Sequence, residues 1–218
     1  MLKNNMPIVF MGTPGFAAYI LDALVENGQN IAGVVTVADK PAGRGKKLHE
    51  SEVKKTAIKH QLTVLQPTNL KDPEFIEALK ALNASVFVVV AFRMLPELVW
   101  KIPSKGTFNL HASLLPQYRG AAPINWAIIN GEKTTGVTTF FIDEKIDTGA
   151  VIDQMAVSIA ESDTAGSLHD KLMVLGANLV QKTLLDIEKG TVNPKNQTKD
   201  SALKEAPKIF KEDCRIDW

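Results

Sequence analysis

Asn109-Leu110-His111-Ala112-Ser113-Leu114-Leu115-Pro116-Gln117-Tyr118-Arg119-Gly120-Ala121-Ala122-Pro123 joins an apolar, strand-like segment to Ile124-Asn125-Trp126-Ala127-Ile128-Ile129, which reads as a helix. Asn109 and His111 stand two apart, so a strand projects both from one face. Polar groups at the end of a buried strand need partners, because an unpaired one costs about 1–3 kcal/mol. The loop that follows carries two prolines, a glycine and an arginine. That composition describes a stiff wall around a pocket and not a simple connector.

On the amino-terminal side, residues 7–11 read as a first strand and Gly12-Thr13-Pro14-Gly15 as a tight turn. Residues 16–27 have apolar positions at helical spacing, with Asn27-Gly28 as the stop. Residues 31–37 form a second strand, 40–47 a basic glycine-rich loop, 51–60 a helix with a charged face, and 64–65 a short strand. An amphipathic helix over 72–82 leads into a fully buried strand over 84–90, and the next strand is 108–111. Strands alternating with helices predict an α/β fold with a mostly parallel sheet covered on both faces. On the carboxyl side, 136–142 and 151–157 are close enough to form an antiparallel extension. A long helix over 163–189 follows, capped by Asp163 or Thr164. From Thr191 the chain turns polar, and no new core is expected.

The 218 residues suffice for one substantial domain, with ordinary apolar (45%) and charged (22%) content. The formal charge of +1 gives no global argument for nucleic-acid binding, so a basic patch would have to be local. Cys214 is the only cysteine, which excludes an internal disulfide and a cysteine metal cluster. The longest apolar run, 84–92, falls far short of the ~20 residues that span a bilayer. The first apolar segment is too short for a signal-peptide core, and the expected location is the cytoplasm.

In an open parallel sheet, ligands bind beyond the carboxyl ends of the strands. The segments 12–15, 92–95 and 109–119 all belong there. Gly12-Thr13-Pro14-Gly15 is not a G-x-G-x-x-G fingerprint, and no acidic residue ends the second strand, which argues against a dinucleotide. His49, His60, His111 and His169 lack ligand-like spacing, which argues against a metal, and no G-x-S-x-G elbow offers a serine nucleophile. Asn109 and His111 remain. Imidazole can take a proton, imidazolium can stabilise an oxyanion, and the amide can orient either the ring or a carbonyl. Among the acids of 143–150, Asp147 is set apart by Thr148-Gly149, a bend that can fold its carboxylate back toward the sheet. There it would hold the His111 ring. Lys40, Arg44, Lys46 and Lys47 put four cations in eight residues, either as a solvated loop or as a phosphate-backbone contact. Phe92-Arg93-Met94-Leu95-Pro96 either lines a pocket for a flat ring or packs the core.

Taken together, these motifs resemble the formyltransferases that use 10-formyltetrahydrofolate. The resemblance runs from Val9-Phe10-Met11-Gly12-Thr13-Pro14 to Arg215-Ile216-Asp217-Trp218. It is carried by Asn109-Leu110-His111, Ser113-Leu114-Leu115-Pro116, Tyr118-Arg119-Gly120-Ala121-Ala122-Pro123 and Asp147-Thr148-Gly149. It implies a Rossmann-like formyltransferase fold and a catalytic trio of Asn109, His111 and Asp147. It further implies a folate site lined by Ser113, Leu114, Leu115 and Pro116, with Phe92, Met94 and Leu95 near the pterin. Pro41-Ala42-Gly43-Arg44-Gly45-Lys46-Lys47 looks like the insertion of the tRNA-directed branch, which makes Arg44, Lys46 and Lys47 the expected tRNA contacts.

The implied reaction moves formyl from 10-formyltetrahydrofolate to the α-amine of methionyl initiator tRNA, in a monomer that needs no metal. An amino sugar nucleotide as acceptor, or a silent folate- or nucleotide-binding module, are the alternatives. One departure is Phe92-Arg93 where the family often has tyrosine-glycine. The expected division is a catalytic domain over 1–190 and a polar tail over 191–218. That tail would lead toward a C-terminal barrel that this chain lacks.

Overall fold

The computed structural model describes residues 6–42, 47–198 and 202–216. In chain order the elements begin β1 (Ile8–Gly12), α1 (Gly15–Glu26), β2 (Ile31–Val35), β3 (Lys40–Ala42), β4 (Lys47–His49), α2 (Glu52–Lys59) and β5 (Val64–Leu65). They continue with α3 (Pro73–Ala81), β6 (Val86–Val90), α4 (Glu97–Trp100), β7 (Thr107–His111), β8 (Arg119–Gly120) and α5 (Pro123–Ile129). The last are β9 (Thr134–Phe141), β10 (Val151–Ser158), α6 (Ala165–Lys189), β11 (Glu205–Ala206) and a 3-10 turn over Glu212–Cys214.

Seven strands form one sheet in the order β10-β9-β7-β6-β1-β2-β5. The strands from β7 to β5 run parallel, while β9 and β10 continue the sheet antiparallel. Alternation along each strand divides the core in two. Ile8, Phe10, Val88, Phe108 and Leu110 face α1 and α6, where Leu21, Leu24, Leu172 and Val180 meet them. Val9, Met11, Phe87 and Val89 face α3 and α4, against Phe75, Leu79 and Val99. Burying apolar surface on both faces makes β1 and β6 continuous apolar runs with every residue buried. The carboxyl ends of β1, β6 and β7 therefore open along one edge of the sheet.

The helices begin where polar side chains can satisfy free amides. Ser51 Oγ accepts from Lys54 N at 3.0 Å, and Asp72 caps α3 ahead of Pro73. For α6 the cap is Thr164, in a reciprocal box with Ser167, and Gly190 closes the helix at φ 68°. Asp163 lies outside the helix and accepts from Ala160 N (2.7 Å), Ser167 Oγ (2.9 Å) and Lys171 Nζ (2.6 Å). Lys171 above all, helped by that amide and hydroxyl, holds the Asp163 carboxyl down to about 2 from the ordinary 3.8.

A carboxyl that is more acidic when folded adds stability above its unfolded pKa and loses it as the pH falls through its folded one. Asp163→Asn is therefore expected to melt below the parent at pH 7. The gap should close between about pH 4 and pH 2. Thermal melts across that range check it, and a gap independent of pH would contradict it.

Three expectations change. The basic segment 40–47 is not a plain loop, because β3 and β4 pair antiparallel around it. Residues 43–46 lie outside the described residues. β2 ends at Val35, and β9 starts earlier than expected, at Thr134. The polar tail packs back onto the domain. Lys195 bridges to Val151, and β11 pairs parallel with β8 inside the central motif.

Candidate active site

β7 delivers the first two groups. Phe108 and Leu110 point into the α1 and α6 core, so Asn109 and His111 share the opposite face. Asn109 sits between Val89 of β6 and Phe140 of β9. Its Oδ1 is buried without a hydrogen-bond partner among the described residues. An orphaned buried acceptor costs about 1–3 kcal/mol, which an incoming donor would relieve. A half-turn of the same amide presents its NH2 group there instead.

His111 is 6% exposed, and its Nε2 lies 2.8 Å from the Tyr118 carbonyl oxygen. A carbonyl only accepts, so Nε2 carries the hydrogen. Nδ1 is then the working atom. It is a bare acceptor in neutral imidazole and a donor in imidazolium. Tyr118 has a left-handed φ of 61° and is fastened by its hydroxyl, which donates to Glu132 and accepts from Asn130 Nδ2 at 3.0 Å. Burial first, then the Glu132 contact, pushes the Tyr118 hydroxyl up, while Lys204 holds Glu132 down. The tyrosine therefore remains the donor of that pair.

Asp147 comes from the turn between β9 and β10. Its φ is 54° and its side chain is 13% exposed. Oδ2 accepts from Gly120 N at 3.0 Å and lies 3.7 Å from His111 Nδ1. That gap is too long for a direct hydrogen bond, so the expectation that Asp147 holds the ring is corrected. The Tyr118 carbonyl holds it, which leaves Nδ1 and Oδ2 both open to reactants. Two glycines allow the approach. A Cβ on Gly149 would stand 1.7 Å from the Phe141 carbonyl oxygen, and one on Gly120 would meet Ala206 O at 2.5 Å.

Asn109, His111 and Asp147 all line one cleft of about 740 Å³, within the range of small-molecule sites. Phe92, Met94 and Leu95 form part of its apolar wall, while Leu95 and Phe92 also pack on the second core, so the segment serves both readings. Arg93 lines it too, its guanidinium donating to the carbonyls of Pro67 and Thr68.

Ser113, Leu114, Leu115 and Pro116, expected in the folate wall, do not line that cleft directly. Their turn is anchored to the antiparallel strands instead. Thr138 Oγ1 donates to Ser113 O at 2.6 Å, Leu115 N donates to Thr138 Oγ1, and Gln154 Nε2 donates to Leu115 O. Of the expected tRNA contacts, Arg44 and Lys46 lie outside the described residues, and Lys47 opens β4.

Sequence reasoning passed over Phe16 and His169, whose rings meet edge to face 5.3 Å apart at the cleft. It also passed over Tyr118 O and Gly120 N as the groups that fix the pair. Their motif was visible, but its contacts are made by backbone atoms. Among the described residues, no three His, Cys, Asp or Glu side chains gather as a metal site.

The chain belongs to the formyltransferases: the formyl transferase family model matches residues 6–184. The chain is 59% identical over 215 residues to the methionyl-tRNA formyltransferase of Flavobacterium johnsoniae, covering 99% of this chain and 68% of that protein. It is 61% identical over 212 residues to the enzyme of the same name from Flavobacterium psychrophilum, covering 97% and 67%. Among solved structures, phosphoribosylglycinamide formyltransferase from Bacillus halodurans aligns with a TM-score of 0.68 at 26% identity, over 82% of this chain and 93% of that one.

Proposed function

We propose that the chain transfers the formyl group of 10-formyltetrahydrofolate to the α-amine of methionine on initiator tRNA. One observation carries the chemistry: a carboxamide whose oxygen is unpartnered, an imidazole Nδ1 and a carboxylate oxygen line a single cleft, with the last two 3.7 Å apart. The choice of tRNA as acceptor rests on the two Flavobacterium enzymes and on the basic segment 40–47. Residues 1–190 are then the catalytic body and 191–218 a tail, in a monomer acting in the cytoplasm. No described helix is long and apolar enough to cross a membrane.

The substrate amine attacks the formyl carbon, and a C–N bond forms as the carbonyl electrons move onto oxygen. That oxyanion needs donors in a site closed to water. Asn109 supplies its NH2 group and His111 its Nδ1–H as imidazolium. Asp147, beside that ring, stabilises the imidazolium and accepts the proton that the attacking nitrogen loses. Collapse breaks the bond to N10, which takes a proton and leaves as the amine of tetrahydrofolate. The amine must be neutral to attack, so activity falls at low pH.

The test supplies 10-formyltetrahydrofolate with either methionyl initiator tRNA or an amino sugar nucleotide. Formylation of the tRNA alone is expected. Formylation of the sugar nucleotide alone would overturn the acceptor, and donor binding with no transfer to any amine would return the chain to a binding module.

A further inference from the structure

We propose that Gln197, in the tail beyond the region matched by the family model, is a positioning residue for Asp147. Asp147 sits at a left-handed φ of 54°, a conformation uncommon for non-glycine residues, although aspartate enters it more readily than most. Gln197 holds the turn there. Its Nε2 donates to the carbonyl oxygens of Asp147 (2.9 Å) and Gly149 (2.8 Å), the two ends of the turn. Its Oε1 accepts from Arg119 Nε (3.1 Å) and Nη2 (2.6 Å). The next residue, Gly120, donates its amide to the Asp147 carboxylate. A closed loop results: Gln197 fixes the Asp147 backbone against the same segment that fixes the Asp147 side chain. Every donor and acceptor of the glutamine amide is used.

The tail has other moorings, so removing this amide leaves it docked. Lys195 exchanges two backbone hydrogen bonds of 2.8 Å with Val151, and Trp126 Nε1 donates to Pro207 O at 2.8 Å. Gln197→Glu is the informative variant. It keeps an acceptor for Arg119 and adds an ion pair, but it cannot donate to the two turn carbonyls. A role in anchoring the tail would survive it, whereas a role in placing Asp147 would not.

Because the inference rests on formyl transfer at this site, one readout is independent of turnover. The Gly120 amide reports the carboxylate through hydrogen exchange, and the Ala122 amide, bonded to Ala206 O at 3.1 Å, reports tail docking. We expect Gln197→Glu and Gln197→Ala to lower kcat about ten- to hundredfold, as an ångström-scale misplacement does. Affinity for 5-formyltetrahydrofolate should stay within about twofold, since neither substitution touches the apolar wall. Gly120 should exchange faster and Ala122 should not. Near-parental kcat in Gln197→Glu, or unchanged Gly120 protection in either variant, overturns the proposal. If the parent chain transfers no formyl group, the amide readout still decides whether Gln197 places the carboxylate.

Discussion

His111→Ala is expected to slow single-turnover formylation about 10²–10³-fold, the usual cost of deleting one oxyanion donor. The ring is pinned from behind, since Nε2 donates to Tyr118 O at 2.8 Å, and the other imidazole of the cleft, His169, is packed edge to face on Phe16. Water admitted by the truncation can fill the space but is not preorganised toward the reacting oxygen. Tyr118 O also loses its donor, so stability should fall by about 1–3 kcal/mol. Donor affinity, measured by equilibrium binding of 5-formyltetrahydrofolate, should change little, because the apolar wall is untouched. Loss of rate without loss of donor affinity is the signature of an interaction made in the transition state. A variant with parental turnover at saturating donor and tRNA would remove His111 from the chemistry.

Asp147→Asn should reduce the rate by about 10²–10⁴-fold, the range for losing a positioned proton acceptor. The substitution is nearly isosteric. Its Oδ1 can still accept from Gly120 N, now 3.0 Å from Oδ2, so the turn should keep its place. The charge beside His111 Nδ1 disappears, and with it the base for the proton released by the attacking amine. Single-turnover rates, with Tm and donor affinity as controls, separate this from misfolding. A rate within a few-fold of the parent would mean that solvent takes the proton and that the carboxylate is structural.

The sheet was readable because its strands are buried on both faces. Residues 7–11 and 84–90 are apolar runs too short for helices and bounded by turns; β6 lies within the second, and β1 overlaps the first and runs one residue past it to Gly12. The shared face of Asn109 and His111 followed from period 2 alone. Asp147 needed the Thr148-Gly149 bend, whose glycine proves to be pressed against the Phe141 carbonyl.

What escaped notice has no local period. β8 and β11 are two residues each and lie far apart in the chain, so only tertiary contact reveals them. β3 and β4 hid in a segment whose glycines and cations read as loop. Ser113 to Pro116 marked the motif, but their hydrogen bonds to Thr138 and Gln154 are made through the backbone and leave no side-chain pattern to read. Gln197 carries no motif at all, and its meaning lies in four hydrogen bonds that converge from both ends of the chain's central region.

A crystal structure with bound 5-formyltetrahydrofolate measures the central claim directly, because it locates the one-carbon unit against the trio. We expect the pterin along the wall of Phe92, Met94 and Leu95, with the formyl group at the mouth between Asn109, His111 Nδ1 and Asp147 Oδ2. Its oxygen or carbon should lie about 3–3.5 Å from at least one of those atoms, the distance of a reactive arrangement. A donor seated outside this cleft, with its formyl carbon well beyond reach of all three side chains, would contradict formyl transfer at this site.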